Sequence, residues 1–179
     1  QFISPLVIQC SWIRNAEHVK LYTTSVAQYW RITFSVNAGE TLVILGESGS
    51  GKSVSASAIM GILDTPPGEI VSGVIRYRGD DITHMPERRR RVLNGSKVAI
   101  IFQDPLSHLN PVYTVGWQLA EVFTEHKKAS RAEARARSID ILRRVGIPDP
   151  EHRVDWYPHQ FSGGQRQRVM IGMAIALDP

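Results

Sequence analysis

The segment Gly46-Glu47-Ser48-Gly49-Ser50-Gly51-Lys52-Ser53 constrains this chain most strongly, because it fits the pattern G-x-x-x-x-G-K-S. It lies between a short apolar run and a helical pattern, the setting that this pattern requires. Glycines allow the backbone to curl so that successive N–H groups converge on phosphate oxygens, and a helix N-terminus adds positive charge. Lys52 can reach the outer phosphates, and the Ser53 hydroxyl is placed to bind Mg²⁺. The segment, here called the phosphate loop, predicts a nucleoside triphosphate site.

Several apolar or alternating segments in the first hundred residues predict strands. Residues 41–45 and 98–102 are short continuous apolar runs, as expected of buried parallel strands. Residues 32–36 alternate, residues 37–40 resemble a turn, and residues 73–78 form another strand candidate that closes at Gly79-Asp80.

The remaining segments have helical patterns. One predicted helix follows the phosphate loop over residues 52–63, and Val115, Leu119, Val122 and Phe123 keep helical spacing in a later one. Ser130-Arg131-Ala132-Glu133 is a capping-box pattern. The helix that it starts carries Ile139, Leu142 and Val145 on one stripe and stops at Gly146. A last helix is expected over about residues 163–177, so the chain is predicted to be mixed α/β, with helices from about residue 104.

Composition excludes few functions. The 179 residues carry 42% hydrophobic and 21% charged residues and a net charge of +4, as in a globular domain with no marked preference for nucleic acid. The run Arg88-Arg89-Arg90-Arg91 is expected to be a solvated face, with a negative membrane surface or partner as the alternative. The lone Cys10 indicates a reducing compartment, the scattered histidines suggest no metal site, and no apolar run is long enough to span a bilayer. No signal peptide is expected, and any membrane is met through a partner.

A second motif, Ser162-Gly163-Gly164-Gln165, precedes an apolar helix. Ser162 can cap this helix, and the two glycines leave backbone N–H groups accessible to an anion. One nucleotide in one compact domain does not normally need two such helix ends. A dimer in which each chain offers its second site to the other's nucleotide would use both. Without the first motif, an ordinary capped helix would be the preferred interpretation.

With both motifs present, the chain resembles an ABC ATPase, whose signature has the form L-S-G-G-Q, although Phe161 replaces the leucine here. The resemblance implies that Ser162, Gly163 and Gly164, with Gln165 beside them, contact ATP held by a partner subunit. Gln103 follows the run at 98–102 and resembles the family's Q-loop. It would bind Mg²⁺, sense the γ-phosphate and link the nucleotide site to membrane subunits. An aromatic residue should stack on adenine, and Tyr22 is the first candidate, with Trp12 as the alternative.

Further stretches are similar to the dipeptide, oligopeptide and nickel importer branch. They include Ile101-Phe102-Gln103-Asp104-Pro105 and Tyr157-Pro158-His159-Gln160-Phe161. This resemblance implies ATP-driven import of peptides or a related small solute, with ATP and Mg²⁺ as cofactors. The implied partners are a second ABC ATPase subunit, transmembrane permease subunits and, indirectly, an extracytoplasmic solute-binding protein. The implied location is the cytoplasmic face of the cell membrane, as a peripheral protein.

The resemblance also implies a P-loop NTPase fold with an N-terminal antiparallel β subdomain and a helical subdomain. The expected division is 1–103 for the β subdomain and nucleotide-binding core, 104–160 for the helical subdomain, and 161–179 for the signature and its helix. The family's Asp-Glu strand and downstream histidine would follow Pro179, so the fold is expected to be incomplete at the C-terminus. This piece is expected to hold no catalytic residue and to be inactive and unstable alone.

Two other interpretations remain open at this stage. One is a soluble ABC-type ATPase that acts on nucleic acid or ribosomes. The interval between the two motifs has no room for the long coiled-coil or zinc-bearing insertions that mark several such proteins, and nucleic acid is not expected as a partner. The other is a fragment that binds nucleotide without hydrolysing it. Co-purification with paired transmembrane subunits would discriminate the transport subunit from both.

Overall fold

The computed structural model describes residues 33–63, 70 and 73–179. The chain divides into two compact units, of which the first extends to Arg90 and the second runs from Arg91 to Pro179. Within the described residues the first unit contains helix α1 (Lys52–Met60) and strands β1 (Arg76–Tyr77) and β2 (Asp80–Asp81), and helix α2 (Glu87–Leu93) begins there. The second unit contains a short α3 (Pro105–His108) and the longer α4 (Val115–Lys127) and α5 (Arg131–Arg144). They are followed by α6 (Pro150–Arg153), a 3₁₀ turn (Pro158–Gln160) and α7 (Gly163–Ile175).

Strands β1 and β2 form an antiparallel hairpin in which Arg76 faces Asp81 and Tyr77 faces Asp80. The two residues between them, Arg78 and Gly79, both have positive φ angles, of 52° and 92°. Two consecutive left-handed residues are the requirement of a type I′ turn, whose twist matches that of the flanking strands. The predicted strand at 73–78 is therefore confirmed in shortened form.

The two predicted buried parallel strands are absent from the described residues. In the run 41–45, Val43 is 70% and Leu45 89% exposed, and residues 98–102 make only an isolated bridge between Asn94 and Val98. A strand exists through hydrogen bonds to a neighbouring strand, so apolar sequence alone does not create one. The hairpin is the only sheet in the described part of the chain. The residues described in the alternating segment 32–36 are likewise not in a strand.

Helix α1 ends three residues earlier than predicted. Gly61 adopts a left-handed conformation with φ of 65°, and its N–H donates to the carbonyl of Ala58 at 3.1 Å. Glycine enters this region without steric cost and therefore terminates helices efficiently. The predicted continuation to residue 63 is wrong because this glycine stops the helix first.

The second unit has a core shared by α4, α5 and α7. Val115, Leu119, Leu142 and Val169 are fully buried in it. The stripe predicted on α5 is confirmed, because Leu142 is buried and Ile139 and Val145 pack partly against the same core. Burial of these apolar side chains is the main stabilising contribution of such a unit, at about 1.5–3 kcal/mol for each large residue.

Two glycines allow elements of this unit to approach closely. The Gly116 N–H donates to the carbonyl of Val154 at 2.7 Å, and a Cβ added at Gly116 would lie 2.3 Å from Val154 Cγ2. A Cβ at Gly172 would lie 2.8 Å from Ile141 Cγ2. These contacts depend on the absence of a side chain at both glycines.

The predicted helix ends of the second unit are confirmed. Ser130 and Glu133 form a reciprocal capping box, with Glu133 N donating to Ser130 Oγ at 3.3 Å and Ser130 N to Glu133 Oε2 at 2.8 Å. The hydrogen bonds to Ser130 lower the pKa of the Glu133 carboxyl. Helix α5 stops before Gly146, whose φ is 73°. Among the described residues, no helix has the length and apolar character needed to cross a bilayer.

The arginine run at 88–91 is only partly on the surface. Arg88, Arg89 and Arg91 are exposed, as predicted, whereas Arg90 is 5% exposed. The Arg90 guanidinium donates to the carbonyls of Met60 and Ile82, at 3.1 and 2.7 Å. The expectation of a uniformly solvated face is therefore wrong for Arg90, because the end of α1 and the residue after β2 supply carbonyl acceptors that make its burial possible.

Candidate functional site

The phosphate loop has the strongly curved backbone that its glycines predict. Gly49 and Gly51 lie in the left-handed region, with φ of 82° and 86°, and Ser50 N donates to the carbonyl of Glu47 at 3.2 Å. A Cβ at Gly46 would lie 2.5 Å from Ser50 Oγ, so the loop closes tightly at this point. Gly49 and Gly51 therefore lie where the backbone conformation requires glycine.

The loop leads directly into α1, whose N-terminus has no side-chain cap. Gly51 is the N-cap residue, and the first turn contains no acidic residue. The first N–H groups of a helix have no acceptor within the helix, and together they carry partial positive charge. This end of α1 is therefore suited to an anionic oxygen ligand.

Lys52 lies inside the curve of the loop. Its Nζ donates to the carbonyls of Gly46 and Glu47, at 2.5 and 2.7 Å, and to Ser50 Oγ at 3.1 Å. The ammonium group is thus held where the loop backbone converges. Phosphate oxygens are acceptors of the same kind as these carbonyls but carry more negative charge.

Ser53, the predicted Mg²⁺ ligand of the phosphate loop, is exposed in the first turn of α1. The next serine on the helix, Ser55, is buried and donates its hydroxyl to the Gly51 carbonyl at 2.8 Å. The two serines therefore have different roles, because Ser55 stabilises the start of the helix while Ser53 faces solvent. A hydroxyl oxygen beside a phosphate-binding loop fits the oxygen preference of Mg²⁺.

Gln103 is an exposed residue at a bend before α3, in the second unit. The segment around it is held by local contacts. The Phe102 and His108 rings stack with centroids 3.8 Å apart, and the His108 ring Nδ1 lies 2.8 Å from the Asp104 carbonyl oxygen. Gln103 thus projects from an ordered turn. Tyr22 and Trp12, the candidates for adenine stacking, lie outside the described residues.

The motif Ser162-Gly163-Gly164-Gln165, called the signature motif below, forms the capped start of α7. Gln165 N donates to Ser162 Oγ at 3.3 Å, and Ser162 N donates to Gln165 Oε1 at 3.0 Å. The Ser162 oxygen therefore accepts within the cap, which leaves its hydroxyl proton to donate outward. Gln165 is engaged in holding Ser162, a role that the sequence interpretation did not assign to it.

The two glycines of the signature motif face open space. A Cβ added at Gly163 or Gly164 would meet no atom within 4 Å. In contrast to Gly116 and Gly172, neither glycine is required by packing in the described part of the chain. Packing among the described residues therefore does not explain this pair of glycines.

Sequence reasoning missed one residue beside the signature motif. Arg166 donates from Nε to the carbonyl of Pro158 at 2.8 Å and so connects α7 to the 3₁₀ turn before it. Residue type and spacing gave no signal for this contact, because its acceptor is a backbone carbonyl of the preceding turn.

Comparisons with known proteins give one consistent assignment. Residues 29–179 match the ABC transporter family. The chain is 52% identical over 149 residues to the dipeptide transport ATP-binding protein DppD of Escherichia coli K12, which covers 83% of this chain and 45% of that protein. It is 45% identical over 160 residues to the oligopeptide transport ATP-binding protein OppD of Bacillus subtilis 168, covering 89% of this chain and 45% of that protein. The chain thus spans less than half the length of these curated relatives.

Solved structures agree at the level of the fold. The dimeric structure of MJ0796, a bacterial ABC transporter cassette, matches with a TM-score of 0.76 at 23% identity, over 98% of this chain and 71% of that one. CbiO1 of Clostridium perfringens, part of the ABC transporter complex cbiONQ, matches with a TM-score of 0.67 at 26% identity, over 99% of this chain and 62% of that one. The predicted ABC ATPase P-loop fold is thereby confirmed. With the motifs, the family match and the fold in agreement, the chain belongs to the ABC transporter family.

Proposed function

We propose that this chain binds ATP through its phosphate loop and that the full-length protein hydrolyses ATP to drive import of dipeptides or oligopeptides. The loop residues proposed to hold the phosphates are Gly46, Glu47, Ser48, Gly49, Ser50, Gly51, Lys52 and Ser53. The observation that carries the proposal is the position of Lys52 Nζ, which is held at the centre of the curved loop by the loop's own oxygens. The names of the two transport relatives support the choice of solute.

Binding of triphosphate would exchange the acceptors of Lys52. The Gly46 and Glu47 carbonyls are neutral acceptors, whereas phosphate oxygens are charged and form hydrogen bonds about twice as strong. Lys52 would turn from the carbonyls to the outer phosphates while the uncapped N–H groups of α1 bind the inner ones. Ser53 and Gln103 would supply oxygen ligands to Mg²⁺, which neutralises phosphate charge when bound.

The signature motif is proposed to bind ATP held by a second ATPase subunit. The Ser162 hydroxyl and the N–H groups at Gly163 and Gly164 lie at one exposed helix end, and Gln165 orients Ser162. The glycines lack a packing role in the described residues, so close approach of a phosphate to the backbone accounts for them. The dimeric structure of MJ0796 supports an assembly of two such subunits.

The remaining partners follow from the transport proposal. Import would require transmembrane permease subunits and, indirectly, an extracytoplasmic solute-binding protein, with this subunit peripheral at the cytoplasmic face of the membrane. Gln103 lies directly before the segment 104–160, which is proposed as the helical subdomain that transmits the nucleotide state to the permease. Tyr22 remains the proposed adenine contact.

Lys52→Ala tests the ATP site in the full-length protein. Loss of the ammonium group should weaken binding of a fluorescent ATP analogue by at least about tenfold, which corresponds to about 1.4 kcal/mol. Lys127→Ala, at the exposed end of α4, is the matched control and should leave binding unchanged. Equal affinity of the two variants would refute the assignment of the phosphate loop.

Gly164→Ala tests the functional explanation of the signature glycines. The methyl group meets no atom within 4 Å, so the free energy of unfolding should be unchanged or raised by up to about 1 kcal/mol. ATP hydrolysis by the assembled transporter should nevertheless fall, because the methyl group would stand between the helix end and the phosphate. Unchanged hydrolysis would mean that no ligand approaches this backbone.

A further inference from the structure

Arg166 lies close to the N-terminus of α7, an end of the helix that the dipole does not make favourable for a cation. It is the fourth residue of the helix, directly after Gln165, and the first turn contains no acidic residue to balance it. A cation near a helix N-terminus opposes the helix dipole, while an anion there is stabilised. The contacts that Arg166 makes show what offsets this position.

The Arg166 side chain is directed to the turn that precedes the signature motif. Its Nε donates to the carbonyl of Pro158 at 2.8 Å, and its Nη2 lies 3.5 Å from the carbonyl of His159. The Pro158 carbonyl also accepts from Phe161 N at 3.2 Å, the bond that closes the 3₁₀ turn. One guanidinium thus connects the second turn of α7 to the turn Pro158–Gln160.

The same turn is anchored on its other side by apolar packing. Phe161 is 2% exposed and meets the Trp156 ring edge-on, with centroids 5.6 Å apart. Many helices fix the direction of the entering chain by an apolar contact between the residue before the N-cap and the fourth helical residue. Here Phe161 and Arg166 occupy these two positions, but Phe161 packs into the core and Arg166 instead binds the turn's carbonyl.

We propose that Arg166 is a positioning residue for the signature motif. It fixes the angle at which the chain enters α7, and thereby the placement of Ser162 and the glycines toward ATP on a second subunit. Its Nε and Nη2 donate to backbone carbonyls of its own chain, so we assign it to the placement of the motif and not to binding of that ATP. The inference rests on the proposed function, because it assumes that the signature motif serves a partner's nucleotide.

A positioning role predicts a specific kinetic pattern. The phosphate loop of the same chain is not involved, so Arg166→Gln should leave the affinity for ATP unchanged. Hydrolysis needs the signature motif in place, and a misplacement of about 1 Å at an active site can cost about 100-fold in rate. The kcat for ATP should therefore fall by about 10- to 100-fold, with KM altered less than about twofold.

The experiment uses the full-length protein in its assembled transporter. It measures steady-state ATP hydrolysis and, separately, equilibrium binding of a fluorescent ATP analogue. Arg166→Lys retains a cation able to reach the Pro158 carbonyl and should recover most of the lost kcat. Arg135→Gln is the matched control, because Arg135 is an exposed arginine of the same unit that pairs with Asp155 at 2.6 Å. It should retain the wild-type kcat.

Each outcome decides the proposal. A lowered kcat with unchanged ATP affinity and recovery in Arg166→Lys supports it. A kcat in Arg166→Gln equal to that of Arg135→Gln, an equal loss of ATP affinity, or failure of the variant to fold would overturn it, because Arg166 would then be dispensable or of general structural importance. Failure of the proposed function is separately visible, since Gly164→Ala would then leave ATP hydrolysis by the assembled transporter unchanged whatever Arg166 does.

Discussion

Replacing Arg90 with methionine would remove the charged group that holds the end of α1. The guanidinium is 5% exposed and donates to four carbonyls, those of Met60 and Ile82 at 3.1 and 2.7 Å, of Ala58 at 3.3 Å, and of Ile59. Burial lowers the pKa of Arg90 from its ordinary value, since leaving water disfavours the charged form. The carbonyl acceptors offset this cost, so the cation and the helix end stabilise each other.

The expected loss can be estimated from these contacts. Hydrogen bonds to a charged group contribute about 1.5–3 kcal/mol each, and the sum over the four bonds is an upper limit for the loss of stability. The true loss is smaller, because the Ala58 carbonyl keeps a second donor in Gly61 N and water can enter around a methionine. A buried carbonyl left without a donor costs about 1–3 kcal/mol, so two or three of them give about 3–5 kcal/mol. We expect a loss of this size, confined to the first unit.

Hydrogen exchange of the backbone amides measures this local loss. Peptides covering α1 should exchange about 100-fold or more faster in Arg90→Met, since each 1.4 kcal/mol is a factor of ten, while peptides from α4 and α5 should not change. Arg89→Met is the control, because Arg89 is an exposed residue of α2, the helix that also carries Arg90. Its exchange should match that of the wild type. Equal exchange of α1 in both variants would show that the Arg90 contacts do not stabilise the helix.

Three further predictions concern the second unit. Gly116→Ala places a methyl group 2.3 Å from Val154 Cγ2 and should lower the free energy of unfolding by about 1–3 kcal/mol, measured by urea denaturation. Ser130→Ala removes an N-cap and should cost about 1 kcal/mol in the same assay. Asp149→Asn should bring the pKa of His152 down toward its ordinary 6.5, because the hydrogen bond that the protonated imidazole donates from Nδ1 to the Asp149 carboxylate is the main cause of its elevation. NMR titration of the imidazole measures this pKa. Because the pKa is raised in the folded protein, the contact stabilises the folded state at pH values below about 6.5, and this contribution is lost as pH rises through the elevated pKa.

Local sequence predicted the features that depend on only a few neighbouring residues. The capping box at Ser130, the left-handed stop at Gly146 and the turn that ends with Glu40 each require contacts within a few residues, and all three are found. The runs at 41–45 and 98–102 were predicted incorrectly as strands in the described residues, because strand formation depends on a partner segment elsewhere. The end of α1 lies before the predicted one because Gly61 adopts the left-handed conformation that stops the helix.

The sequence by itself determined the phosphate loop and the signature motif, because glycine spacing and a lysine or serine at a helix start encode their geometry locally. Only the tertiary structure showed which arginines hold segments together by donating to backbone carbonyls. Arg90 and Arg166 belong to charged stretches that look like any solvated surface, yet each reaches backbone carbonyls supplied by another segment. The same applies to the glycines, since Gly116 is required by a distant Val154 whereas Gly163 and Gly164 face open space. The physical reason is that burial and carbonyl acceptors come from the folded neighbourhood, which residue type and spacing do not specify.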